Sequence, residues 1–173
     1  MKRRVVRPQE RIELSQRIRS VRPRDWDEFS KLWTSFNTLY DGENDRLEIA
    51  RIRGCLERHL NDAAADYLLR TCTTSIAHTI AIPPGDMRLE DRDPGFRKRT
   101  IELAHIVEDG ARRSPVRVGA LGGVLYQIRN NLTHGDKDPL DDRDQMLVAE
   151  SNLILRELLP LLDEALGRTG AST

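Results

Sequence analysis

The chain has 173 residues, 38% of them hydrophobic and 32% charged, with a formal net charge of zero. That length fits one domain able to bury a proper core, and no apolar run approaches the roughly 20 residues of a membrane span. Two cysteines, Cys55 and Cys72, make no disulfide framework, and the basic N-terminus lacks the apolar stretch of an export signal, so a cytoplasmic protein with buried thiols is expected.

Neutrality hides an asymmetry. Residues 1–24 carry nine bases against Glu10 and Glu13, a net of +7 that leaves −7 for the remainder. Such an arm, read as an extended segment or a short helix, can hold phosphate or an acidic partner. Arginine outnumbers lysine 24 to 4, however, and part of that bias is codon usage.

From residue 25 to 173 the apolar pattern has the helical period and nowhere a convincing period of two. Asp25 and Glu28 form a D-x-x-E capping box ahead of a helix whose Trp26, Phe29, Leu32, Trp33, Phe36, Leu39 and Tyr40 share one face. Asp41-Gly42 ends it. A second helix starts near Asn44 or Asp45, with Ile49, Ile52, Leu56 and Leu60 inward. Asn61-Asp62 caps a third, which carries Ala65, Leu68, Leu69, Cys72, Ile76 and Ile80 until Pro83-Pro84-Gly85 stops it. Residues 86–97 read as a surface loop, and a shorter helix follows from about Arg97 to Gly110. Ser114-Pro115 is an N-cap with proline at the first helical position, opening a helix to about His134. Asp141 or Asp142 caps the last helix, with Leu147, Leu153, Ile154, Leu158, Leu161 and Ala165 inward. Pro160 should kink or end it. The expected fold is all-α, a single-domain bundle of five to six helices around a four-helix-bundle-like core.

On a helical wheel of residues 116–134, Leu121, Val124, Leu125, Ile128 and Leu132 form one side and should face the core. Gly119, Gly122, Gly123, Tyr126, Asn130 and His134 lie opposite. Helical glycine costs roughly 1 kcal/mol relative to alanine, so Gly122-Gly123 needs a reason. Either another backbone comes close, such as the same helix of a second subunit, or the helix begins after Gly123. Asn130 and His134 are one turn apart, so the amide can orient the imidazole. Arg129 and His134 are about 140° apart on an ideal helix, an awkward pair within one chain and a natural one across a two-fold axis. Guanidinium, amide and imidazole in one cleft suit phosphodiester cleavage: imidazole moves protons near neutral pH, and guanidinium holds phosphate and stabilises its added charge. RNA brings its own nucleophile, the 2′-OH. A histidine at a helix C-terminus is also favourable in itself, which is the structural alternative.

Other constellations fail on spacing. Asp136, Asp138, Asp141, Asp142 and Asp144 do not make an EF-hand, because the twelfth position is Leu147. Cys55 and His59 lack further zinc ligands. No phosphate-binding loop or dinucleotide fingerprint occurs. No metal or cofactor is expected.

Arg129-Asn130-Asn131-Leu132-Thr133-His134-Gly135 resembles the R-N-x-x-x-H signature of HEPN domains, in particular their Apea-like branch. The stretch from Phe29 to Tyr40, FSKLWTSFNTLY, resembles the "LWxxFNxLY" of the same branch. The likeness spans about residues 26–166. It implies a homodimer whose two signature segments share a cleft, acting as a metal-independent endoribonuclease that leaves a 2′,3′-cyclic phosphate and a 5′-hydroxyl. His134 would then be the general acid/base, Arg129 the phosphate and transition-state group, and Asn130 an orienting or binding group. Tyr126, Asn131 and Lys137, beside them, are candidate substrate-binding residues. The dimer is expected through the helix containing Gly119, Gly122, Gly123, Tyr126 and Asn130. The resemblance further implies a toxin or defence effector checked by an antitoxin or other protein. Two alternatives stay open: a non-catalytic RNA-binding or dimerisation module, and a regulatory subunit of a nucleotidyltransferase-like partner.

Overall fold

The computed structural model describes residues 13, 16, 24–40, 47–86, 93–95, 97–133 and 140–170, with side chains up to residue 167. The basic arm expected over residues 1–24 therefore lies outside the described residues, apart from Glu13, Gln16 and Arg24. Seven helices account for most of the rest: α1 (Arg24–Tyr40), α2 (Glu48–His59), α3 (Asp62–Thr71), α4 (Thr73–Ala81), α5 (Lys98–Glu108), α6 (Ser114–Thr133) and α7 (Asp142–Gly170). Among the described residues there is no strand, and no helix is long and apolar enough to cross a membrane. The fold is the expected all-α bundle.

Local signals set several boundaries. The Asn61 side chain accepts from the Ala64 N–H at 2.8 Å, capping α3, and Asp141 accepts from the Asp144 N–H at 2.9 Å, capping α7. The Asp93 carboxylate accepts from the Gly95 N–H at 2.7 Å in the turn before α5. At α1 the expected box does not form. Asp25 lies inside the helix, and Glu28 instead accepts from Arg156 Nε of α7 at 2.7 Å.

The seventh helix arises where one was expected over Asn61–Ile82. The Thr73 hydroxyl donates back to the carbonyls of Leu69 and Arg70, both at 2.8 Å, and the chain leaves the helix at Cys72 before α4 resumes. Threonine back-bonding of this kind competes with the backbone ladder and bends helices. Pro160, by contrast, neither ends nor divides α7. It is exposed, as is Arg156 four residues before it, so the carbonyl left without a donor is on the solvent side.

The core positions read from the pattern are largely buried: Trp26, Phe29, Trp33, Phe36 and Tyr40 of α1, Ile52 and Leu56 of α2, and Ile154 and Leu158 of α7. Leu153 is the exception, 46% exposed where an inward position was expected. Helices α2, α3 and α5 pack on α6, while α1 and α4 pack on α7. His78 Nδ1 of α4 lies 2.7 Å from Glu150 of α7. Burial alone would raise the Glu150 carboxyl, but hydrogen bonds from Ser75 and His78 outweigh it and hold it below its usual value.

Helix α6 corrects the wheel. It is buried on nearly every side, including Gly119, Gly122 and Gly123. A Cβ on Gly119 would fall 2.8 Å from Glu57 Cγ, one on Gly122 2.7 Å from Leu56 Cδ1, and one on Gly123 2.9 Å from Leu103 Cδ1. The close approach that explains the glycines is made by α2 and α5 of the same chain. The helix also runs from Ser114, so it does not begin after Gly123. A dimer contact through the three glycines is thereby excluded, because their face is already filled.

Candidate functional site

Arg129 sits one turn before the end of α6, with its side chain about one-third exposed (32%). Its Nη1 donates to Asn130 Oδ1 at 3.1 Å and faces Glu48 Oε2 at 3.9 Å. Glu48 opens α2, and its other oxygen accepts the Tyr40 hydroxyl at 2.8 Å. Tyr40 closes α1 and is fully buried. Burial first, then the hydrogen bond and charge of Glu48, push its phenol far above the usual value, against the pull of Arg129 and Arg51. The phenol therefore stays protonated and keeps Glu48 in place.

Three helix ends thus meet at Arg129. A partly exposed pair at 3.9 Å contributes no more than about 1 kcal/mol. Glu48 biases the position of the guanidinium without enclosing it. Neither Glu48 nor Tyr40 was singled out from the sequence as a site residue, because a pairing between the ends of separate helices leaves no trace in periodicity.

The other candidates separate. Asn130 is half-buried, and its amide oxygen already accepts from Arg129. Tyr126 is half-buried with its ring centroid 6.5 Å from that of Trp33, so its aromatic body is used in packing. Asn131 is not a substrate-binding group. It is 2% exposed, donates to the Gly85 carbonyl at 2.9 Å, and accepts from Gln127 Nε2 at 2.9 Å. Its role is to tie the turn after α4 to α6. Replacing Asn131 with leucine leaves a buried carbonyl and a buried amide without partners, and is expected to cost about 2–4 kcal/mol in thermal or urea unfolding. An unchanged melting temperature would overturn that assignment. His134 and Lys137 lie outside the described residues.

A cleft of about 300 Å³ opens beside Arg129, between α1 and the end of α6. Trp26, Phe29, Trp33 and Leu132 supply its apolar lining, and Ser30, Thr34, Thr133 and Arg129 its polar lining. The FSKLWTSFNTLY stretch held the signal for this wall, although only its core-facing residues stood out in the periodicity. Both indole N–H groups, Trp26 Nε1 and Trp33 Nε1, are buried without a hydrogen-bond partner. No family model, curated protein or solved structure matches the chain.

Proposed function

We propose that the chain is a HEPN-type endoribonuclease, cleaving RNA without a metal in a cleft completed by a second copy of itself. The observation that supports this most is the state of Arg129. A partly exposed guanidinium, steadied by Asn130 and by the Tyr40–Glu48 pair, stands at the end of the helix that leads into His134. In this reading His134 takes the proton of the 2′-OH as O2′ bonds to phosphorus. The P–O5′ bond breaks, and O5′ leaves with a proton supplied by the His134 of the second copy. Arg129 holds the phosphate and stabilises the charge that builds on it. The products are a 2′,3′-cyclic phosphate and a 5′-hydroxyl. With the glycine face filled, the second copy approaches through the surface around the end of α6. A toxin or defence role, under the control of a protein partner, is the biological setting this chemistry fits.

The test is cleavage of structured and single-stranded RNA in the presence of EDTA. Wild-type protein is expected to cut, and His134→Ala to be slower by about 10²–10⁴-fold. Equal rates, or none in either, would sink the enzymatic reading. RNA binding without turnover would assign the chain to the non-catalytic modules instead.

A further inference from the structure

The cleft beside Arg129 has a hydrogen-bonding polarity that can be worked out. Each hydroxyl in it spends its only proton on the helix backbone. Ser30 Oγ donates to the Trp26 carbonyl at 2.9 Å, Thr34 Oγ1 to the Ser30 carbonyl at 2.8 Å, and Thr133 Oγ1 to the Arg129 carbonyl at 2.9 Å. A hydroxyl has one donor and two lone pairs, so Thr34 and Thr133 keep acceptors for a ligand. The donor is the Arg129 guanidinium. Trp26 and Trp33 are only 6% and 5% exposed, and an unpartnered buried N–H costs about 1–3 kcal/mol. Both indole N–H groups are enclosed by the protein, so the two rings serve the cleft as walls and not as donors. None of the described lining residues is a carboxylate. The matching ligand is planar, carries an amino donor, and is joined to a phosphate.

We propose that this cleft is a single-nucleotide subsite, taking one unpaired base of an RNA strand whose phosphate lies on Arg129, and that it prefers bases with an exocyclic amino group to uracil. The inference rests on the RNA reading above and adds the part of the substrate that is recognised. A cavity of about 300 Å³ admits one base with its sugar, at the small end of ligand pockets. Recognition of splayed single-stranded bases by aromatic walls and edge hydrogen bonds is the usual route to sequence preference in RNA. Cytosine presents an amino donor where uracil presents a carbonyl oxygen. That oxygen would face the lone pairs of Thr34 and Thr133.

The protein contains two tryptophans, and both line this cleft, so intrinsic fluorescence reads its occupancy directly. Titration with CMP, AMP, UMP and ribose 5-phosphate into the millimolar range is the experiment. CMP and AMP are expected to change the emission and to bind about 3- to 10-fold more tightly than UMP, the effect of one hydrogen bond. Ribose 5-phosphate alone should change it little. Thr34→Val and Thr133→Val keep the shape and remove an acceptor, and at least one should bring the CMP and UMP affinities together. No emission change with any nucleotide, equal affinities in the wild type, or a gap untouched in both variants would overturn the subsite. So would a full response to ribose 5-phosphate. Nucleotide binding in a protein that never cleaves RNA would remove the enzymatic reading and keep the subsite. Cleavage without an emission change would do the reverse.

Discussion

Arg129→Ala is expected to slow RNA cleavage by about 10²–10³-fold, the loss that follows removal of one group aimed at transition-state charge. The fold should survive. Arg129 is one-third exposed, its contact with Glu48 is long at 3.9 Å, and the Tyr40–Glu48 hydrogen bond does not depend on it. Arg129→Lys should fall between the two, because lysine keeps the charge and loses the planar fork that holds phosphate through two hydrogen bonds. Rates measured beside melting curves separate the cases. A rate loss matched by unfolding, or a full rate in Arg129→Ala, would remove Arg129 from the chemistry.

The second large effect concerns Gly122. Leucine and isoleucine side chains from α2 already occupy the space its Cβ would need, 2.7 Å from Leu56 Cδ1 and 2.8 Å from Ile52 Cγ2. Both neighbours are fully buried, so neither can swing into solvent. Overpacking of this kind costs about 1–3 kcal/mol, while alanine regains about 1 kcal/mol of helix propensity. Gly122→Ala is therefore near neutral to destabilising, and Gly122→Val, with less propensity to regain and more volume, should lose about 1–3 kcal/mol. Gly167 is the control. It lies in α7, exposed, and a methyl group added there would meet nothing within 4 Å, so Gly167→Ala should stabilise by about 0.4–1 kcal/mol. Chemical denaturation of Gly122→Val and Gly167→Ala measures both, and the same sign at the two positions would refute the packing account.

Helices with one wet and one dry face were legible from residue spacing, which is why α1 falls where the pattern placed it, α2 starts within a turn of its expected start, and α3 and α4 together fill the stretch read as one helix. So were the caps at Asn61 and Asp141, since a cap is a local exchange between neighbours in the chain. Helix α6 was misread for a physical reason. The wheel divides a helix into core and solvent sides, but a central helix has no solvent side, and glycines among hydrophobic residues then mark where neighbouring helices press closest. Asn131 shows the same limit at the scale of one residue. Its place in a catalytic-looking run suggested contact with substrate, while its true partner, the Gly85 carbonyl, lies 46 positions away. The break at Cys72 was written in the threonines around it, yet back-bonding strong enough to interrupt a helix is not fixed by composition alone. For the site, Arg129 and Asn130 could be found from the sequence, whereas Glu48 and Tyr40 are joined to them only through folding.

Asn152 Nδ2 of α7 donates to the Asp25 carbonyl of α1 at 2.9 Å, across 127 positions of chain, and the Arg156–Glu28 pair spans 128. The first described helix to leave the ribosome thus waits for the last before its aromatic face is covered. At ordinary rates of synthesis the delay is on the order of ten seconds, and the loop that must close spans 127 positions. Throughout that interval Trp26 and Trp33 lack the surface that holds them, and the wall opposite Arg129 is unmade. The order of translation makes this cleft a late product of folding, so a nascent chain carries the residues of the site well before it carries the site.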